Sequence, residues 1–293
     1  MLAGGGAVSG GAVSGNAPKL FVSVDLEGCT GVVTEDHTEP GRPAWEEARR
    51  LMRADLDAVI EGCRAGGAGE IVVCDAHDRG TNLRAAGLPA GVRLVSGSPP
   101  PLGMMAGIDE SFDAALFVGY HARAGTTCAV LDHTYTYRVF RVRVDDMTEA
   151  GEIALNAALA GCFGVPVVFV SGDEAAVAEA RELLPAATGV AVKTACARTS
   201  ARLLPPERTR TLLRDGAQRA LRAALPPASR PPGLSWDERA LRVVFTRSDF
   251  AEAAALCPGV ERVDARTVRL EGPRFLTTFT TFTTALRLAA KVK

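Results

Sequence analysis

The sequence lacks an excess of charge of either sign, and it lacks a long apolar run. Its 293 residues carry a net charge of −1, which removes the general electrostatic basis for binding nucleic acid or an anionic membrane. No apolar run approaches the roughly 18 residues that span a bilayer. The N-terminus does not combine a basic region with an apolar stretch, so no secretory signal is predicted. We therefore expect a cytoplasmic globular protein without nucleic-acid or membrane partners.

Paired cysteines are also missing. The chain has 7 cysteines, which are scattered and never form a CxxC pair. This pattern is typical of reduced, mostly buried thiols, and it argues against a zinc site built from cysteines.

What the sequence does contain is a series of short apolar runs that alternate with amphipathic segments. A hydrophobic content of 47% with 23% charged residues is ordinary for a globular enzyme. The alternation predicts an α/β fold with a mostly parallel central sheet flanked by helices, followed by a smaller α+β C-terminal portion. The predicted strands are 20–24, 70–75, 92–95, 114–118, 167–170 and a half-exposed edge strand at 137–144. The predicted helices are 43–64, 148–163, 171–184, 205–225, 250–256 and 275–286.

Composition also divides the chain into three parts. Residues 1–17 are rich in Gly, Ala and Ser and predict a disordered tail. We expect a metal-binding α/β core at 18–200. The portion 201–293 should pack on that core and contribute to oligomer contacts.

Two carboxylates follow the first buried strand. The run from Leu20 ends in Asp25, Glu27 and Gly28. Ligands of open α/β sheets bind at the carboxyl ends of the strands, and two buried acids there are costly unless a positive group meets them. A zinc ion is one such group. The alternative is that Asp25 caps a turn while Glu27 is solvated.

Histidines follow two further strands. The chain has 4 histidines, and His77 and His121 come directly after predicted strands, with Asp75 two residues before His77. Three strand ends therefore bring acids and histidines to one edge of the sheet. His133, in a loop after His121, could serve as a general acid or base, or it could be an ordinary surface histidine.

Glu152 is a fifth candidate ligand. It lies one helical turn before Asn156, so the two side chains share a face. Glu152 either complements the helix dipole or points inward as a ligand with Asn156 supporting it. We also expect Asp75 and Asp132 to support the ligands or to contact substrate.

These residues fall in motifs that resemble the zinc-dependent D-aminopeptidase family of the DppA type. The SxDxEG signature is matched by residues 23–28. Five later motifs occur in the family's order: Asp75-Ala76-His77, Gly119-Tyr120-His121-Ala122, Leu131-Asp132-His133-Thr134, Gly151-Glu152-Ile153 through Asn156, and Ser171-Gly172-Asp173. The resemblance covers residues 20–184 well and extends more loosely to the helix after Pro205.

The resemblance implies a metal-dependent aminopeptidase that hydrolyses the N-terminal amide of short peptides through a water activated by two zinc ions. The implied zinc ligands are Asp25, Glu27, His77, His121 and Glu152, with His133 as the catalytic histidine. It also implies ring-shaped homo-oligomers of ten subunits. Asp78 departs from the family, which more often has glycine there, and could change substrate charge preference.

Two other functions fit the same residues. One is a two-metal hydrolase of another amide or of an ester, because binuclear sites serve several reactions. The other is a metal-stapled, ring-forming scaffold without catalysis. A spare histidine and a site with open metal positions argue against the scaffold.

Overall fold

Two β-sheets with helices packed around them make up the fold. The computed structural model describes residues 17–97, 102–146, 148–226 and 229–293, so all but the last residue of the predicted tail lies outside the described part. The strands are β1 Leu20–Val24, β2 Ile71–Asp75, β3 Val92–Val95, β4 Ala114–Tyr120, β5 Val139–Val144, β6 Thr148–Glu149, β7 Val167–Asp173, β8 Thr188–Ala197, β9 Ser200–Leu203, β10 Leu241–Phe245, β11 Val260–Arg262 and β12 Thr267–Leu270. The helices are α1 Pro43–Ala65, α2 Glu152–Gly161, α3 Glu174–Leu183, α4 Pro206–Ala224, α5 Ser248–Ala254 and α6 Phe275–Ala289.

The central sheet has seven strands in the order β3-β2-β1-β4-β7-β8-β9. All neighbouring pairs are parallel except β8 and β9. The second sheet is antiparallel, with the order β11-β12-β10-β5-β6. The predicted fold class, a mostly parallel sheet flanked by helices with further α+β structure, is confirmed.

Side chains of β1 alternate between two hydrophobic cores, although the strand is apolar at every position except Ser23. Leu20, Val22 and Val24 pack in one core with α1 and α4, whereas Phe21 lies in the other core with α2, α6 and the antiparallel sheet. This is the pattern of a strand buried on both faces. The central sheet is therefore a middle layer between two layers of structure.

The order of strands places the predicted site at one edge of this sheet. β1 lies between β2 and β4, and Val24 pairs with both Asp75 and Val118. The strands that follow β1 in the chain lie on both sides of it, with β2 and β3 on one side and β4 on the other. Open α/β sheets bind ligands at such a reversal of strand order. The carboxyl ends of β1, β2 and β4 are therefore adjacent, as the sequence predicts.

Three local predictions are wrong. Thr148 does not begin a helix, because Thr148 and Glu149 pair with β5, and α2 begins at Glu152. The carboxylate of Glu149 lies 3.0 Å from Arg141 of β5, which favours this pairing. The strand 137–144 is not an edge strand, since β5 pairs with both β6 and β10. Residues 171–173 end β7 instead of beginning a helix.

The C-terminal portion is more regular than the sequence indicates, since the three strands that lie wholly within it, β10, β11 and β12, were not predicted. Its helix α4 packs against α1. Phe275, Phe279 and Phe282 of α6 are fully buried, so they form a packing stripe along this helix. None of the helices in the described ranges is long and apolar enough to cross a membrane. The division of the chain at residue 200 stays a prediction.

Candidate metal centre

Two glycines allow the loop after β1 to approach β4 closely. Gly28 donates its N–H to the carbonyl of Gly119 at 2.8 Å, and a Cβ on Gly28 would lie 2.0 Å from the carbonyl oxygen of Tyr120. Gly119 has a φ of +69°, and a Cβ there would lie 2.4 Å from the carbonyl oxygen of Asp25. Only glycine fits either position without moving backbone. The glycines of both motifs therefore bring the segment with Asp25 and Glu27 against the segment with His121.

Five of the predicted residues form a single buried cluster. Asp25, Glu27, His77, His121 and Glu152 are each no more than 8% exposed. Nδ1 of His77 lies 3.0 Å from Oε2 of Glu27 and 3.4 Å from Oδ1 of Asp25. Nε2 of His121 lies 3.5 Å from Oδ2 of Asp25 and 3.3 Å from Oε1 of Glu152. Asp25 thus presents one carboxylate oxygen to each histidine.

His133 joins this cluster from the loop that follows β4. Its Nε2 lies 3.7 Å from Oε1 of Glu152, and its ring stacks on that of His121 with centroids 4.0 Å apart. The His133 ring also contacts the tilted ring of Tyr137 at a centroid distance of 4.8 Å. The structure therefore brings the predicted catalytic histidine next to the predicted ligands.

The three histidines share one arrangement of hydrogen bonds. Nε2 of His77 donates to the carbonyl of Thr38 at 3.0 Å. Nδ1 of His121 donates to the carbonyl of Ala122, and Nδ1 of His133 donates to that of Leu131. Because a carbonyl only accepts, these nitrogens carry the hydrogen, so the opposite nitrogen of each ring is the one that could bind a metal after losing any proton. These opposite nitrogens all face carboxylates, and that of His77 is hydrogen-bonded to Glu27 at 3.0 Å. Histidine metal ligands are oriented in the same way by outer hydrogen bonds.

The electrostatics of the cluster favour an added positive charge. Burial raises the pKa of Asp25 to about 7, and the charge of Glu27 contributes in the same direction. Burial alone would lower the pKa of His121, but the negative charge of Glu152 outweighs it and holds that pKa well above its usual value. Burial and the neighbouring His121 both lower the pKa of His133.

The donor set fits a divalent cation. Oδ2 of Asp25 and Nε2 of His121 are buried and accept or donate no hydrogen bond among the described residues. The residues form two groups, and within each group the possible ligand atoms all lie within 4.8 Å of one another. One group is Asp25, Glu27 and His121, and the other is His121, His133 and Glu152. Buried carboxylate oxygens and imidazole nitrogens are ligands that zinc prefers.

The predicted supporting residues occupy different positions around the cluster. Asp75 accepts hydrogen bonds from the backbone N–H groups of Asn82 and Leu83 and so fixes the loop that carries His77. Asn156 accepts from the hydroxyl of Tyr135 at 2.7 Å. Asp132 accepts from the N–H of Gly125 and contacts Arg198, and it lies outside the cavity that contains the cluster.

A cavity of about 530 Å³ opens above the cluster. It is of the size of small-molecule sites. Tyr135, Thr136 and Tyr137 line one part of it, and residues of α6 line another. Sequence reasoning missed these residues, although the two tyrosines lie next to the Asp132-His133 motif. A second cavity of about 420 Å³ also borders His133 and includes Arg198.

Comparisons with known proteins agree with the motifs. The model of the M55 peptidase family, described as D-aminopeptidase, matches residues 19–284. The D-aminopeptidase of Bacillus subtilis (strain 168) is 33% identical over 276 residues, which are 93% of this chain and 98% of that protein. A solved structure described as "Zn-dependent D-aminopeptidase DppA from Bacillus subtilis, a self-compartmentalizing protease" matches with a TM-score of 0.88 at 32% identity, and covers 94% of this chain and 99% of that chain. On a family match that spans most of its length, this chain belongs to the D-aminopeptidase family of peptidases.

Proposed function

We propose that the protein is a zinc-dependent aminopeptidase that hydrolyses the N-terminal amide of short peptides with a D-residue at the N-terminus. The observation that carries this proposal is the arrangement of His77, His121 and His133: in each ring the nitrogen opposite the backbone hydrogen bond faces a buried carboxylate. The zinc dependence, the cleavage of a peptide bond and the preference for D-residues are inferred from the names of the relatives.

We infer two zinc ions per subunit, held by Asp25, Glu27, His77, His121 and Glu152. Asp25 would contribute to both ions, because its two oxygens face different histidines. Five side chains for two ions leave positions open for water and substrate, as catalytic zinc sites require. When bound, the ions polarise the scissile carbonyl and lower the pKa of a water molecule.

The remaining chemistry belongs to side chains of this chain. His133 has Nδ1 committed to the carbonyl of Leu131, so Nε2 can take a proton and deliver it to the leaving amide nitrogen. Once protonated, the same imidazole can stabilise negative charge on the carbonyl oxygen. The cavity of about 530 Å³ is large enough for a peptide of a few residues beside these groups.

The test combines metal analysis with hydrolysis of matched substrates. We expect purified protein to contain two zinc ions per subunit and to hydrolyse D-aminoacyl p-nitroanilides faster than the L-forms. Preference for the L-forms would contradict the D-preference while leaving an aminopeptidase. Bound zinc without hydrolysis of amides would favour the scaffold, and hydrolysis of esters alone would favour another two-metal hydrolase.

We also infer that the protein is a homo-oligomer. The related structure is described as self-compartmentalizing, and the similarity to it extends over nearly the whole chain. Large apolar side chains remain exposed on the single chain, including Leu256 at 77% and Phe140 at 51%. Light scattering should give several times the chain mass of 30.6 kDa, and a mass of one chain would contradict the inference.

A further inference from the structure

The last helix forms a wall of the cavity above the metal cluster. Thr283, Leu286, Arg287 and Ala290 all line this cavity. Their spacing of three and four residues places them on one face in line with α6. The Phe275-Phe279-Phe282 stripe anchors α6 in the core, so this wall is held at a fixed position.

Some of the charged side chains that line the cavity have an ion-pair partner among the described residues, and Arg287 does not. Among the described residues that line it, Arg287 is the only lysine or arginine. The two acids of the lining that are more exposed to solvent already face surface arginines, since Glu39 lies 3.0 Å from Arg42 and Asp78 lies 3.8 Å from Arg79. Arg287 is exposed and has no hydrogen-bond or ion-pair partner within the described ranges. An unpaired guanidinium therefore borders the cavity that contains the metal cluster.

We propose that Arg287 binds the C-terminal carboxylate of the peptide substrate. This inference rests on the proposed aminopeptidase function, because it assigns the two ends of one substrate to different lining residues of one cavity. The N-terminal residue lies at the cluster, and the free carboxylate lies at α6. A guanidinium matches a carboxylate with two parallel hydrogen bonds.

This arrangement selects the class of substrate. Two extended residues span about 7 Å and three span about 10 Å, so only short peptides place both ends within one cavity. A longer peptide would carry its carboxylate past Arg287. We therefore expect a preference for peptides of two or three residues with a free C-terminus.

The test compares substrates that differ only in the C-terminal charge. Wild type, Arg287→Gln and Arg287→Lys are assayed in the zinc-loaded form on D-alanylglycine and on its C-terminal amide. Lys291→Gln is the matched control, because it removes a positive charge just beyond the end of α6 and outside the cavity lining. Binding is measured separately by calorimetry, with D-alanylglycine analogues that have a methylene group in place of the scissile carbonyl.

We expect Arg287→Gln to lower kcat/KM for the free acid about tenfold and to weaken binding of the acid analogue by a similar factor. Activity on the amide and binding of the amide analogue should change less than about twofold. Arg287→Lys should recover part of the preference, and Lys291→Gln should behave as wild type. Equal effects on acid and amide, or no effect on either, would overturn the proposal.

A second pair of substrates separates the C-terminal carboxylate from a side-chain carboxylate. D-alanylglutamate α-amide and D-alanylglutamine amide differ only in the side chain, and neither has a free C-terminus. Arg287→Gln could lower kcat/KM for the glutamate peptide relative to the glutamine peptide, without a difference between the acid and the amide of the first pair. That result would show that Arg287 binds a side-chain carboxylate, and the assignment to the C-terminus would be wrong. A zinc-loaded wild type inactive on every peptide would instead refute the proposed aminopeptidase function.

Discussion

The ring of His133 stacks on the ring of His121, with centroids 4.0 Å apart and an angle of 12° between the planes. The two residues have different surroundings. His121 is 1% exposed and lies between two carboxylates, whereas the His133 side chain is 14% exposed and borders both cavities. We therefore propose His121 as a metal ligand and His133 as the residue that reaches substrate and solvent.

Replacing His133 by alanine should lower kcat about 10²- to 10⁴-fold, because the chain loses its proton donor to the leaving nitrogen. The zinc content should stay at the wild-type value, since the five proposed ligands remain. Steady-state kinetics and elemental analysis of the same preparation measure both quantities. His37→Ala is the control, because that ring hydrogen-bonds to Thr34 away from the cluster. Loss of zinc from His133→Ala would make His133 a ligand.

Replacing Asp25 by asparagine should reduce zinc binding and yet stabilise the metal-free protein. Burial raises the pKa of Asp25 to about 7, so above that pH the metal-free cluster contains a costly buried charge. The neutral amide removes this charge, and we expect a gain of about 1 to 3 kcal/mol in the free energy of unfolding at pH 8.

Thermal unfolding of chelator-treated protein measures this gain, and elemental analysis measures the zinc. The difference between variant and wild type should shrink at pH 6, where the wild-type carboxyl is protonated. Glu47→Gln, an exposed change on α1, is the control and should alter neither quantity. A less stable metal-free Asp25→Asn at pH 8 would contradict the argument.

The central sheet and its edge could be predicted because each signal is local. β1, β2 and β4 are mostly apolar, and each ends in or is followed by a carboxylate or a histidine. In a parallel sheet such residues must reach the same edge, so the sequence alone suffices to group Asp25, His77 and His121. The strands of the second sheet are short and partly exposed, and their pairing depends on contacts distant in sequence.

Residues that act through distant contacts could not be predicted. Lys193 is fully buried in β8, and its ammonium donates to the carbonyls of Glu27, Cys29 and Val32. Nothing in the local sequence shows that this lysine holds the loop with Glu27. The position of Arg287 likewise depends on how α6 packs across the cavity, which the spacing of its phenylalanines does not specify.

Arg198 should position His133. Its Nη1 donates to Glu35 at 2.6 Å, its Nε lies 3.3 Å from Asp132, and its guanidinium lies 5.0 Å from the centre of the Tyr137 ring that packs on His133. We expect Arg198→Ala to lower kcat about tenfold while KM and zinc content stay constant, because a misplaced proton donor slows chemistry without weakening binding.

Arg198→Lys should recover part of kcat, since it keeps the charge but not the fork of donors. Arg202→Ala, an exposed change on β9, is the matched control. The side chain of Arg198 is 40% exposed, so the melting temperature should change little. A rise in KM with constant kcat would show that Arg198 binds substrate instead.

Asp55 should make the folded state less stable as the pH rises. Its carboxylate is 3% exposed and accepts from the N–H of Thr30 at 2.8 Å, and burial raises its pKa from 3.8 to about 6. A carboxyl with a raised pKa binds more protons in the folded state between these two values, so its contribution to stability is lost as the pH rises through that window.

Asp55→Asn keeps an acceptor for Thr30 and cannot ionise. We therefore expect its melting temperature relative to wild type to increase from pH 4 to pH 7, corresponding to a gain of up to about 3 kcal/mol. Asp57→Asn, which removes an exposed ion pair with Arg53 on the same helix, should give only a small change that varies little over this range. If Asp55→Asn is less stable than wild type at pH 7, the ionised carboxylate is a net stabilising group through the nearby charge of Lys193.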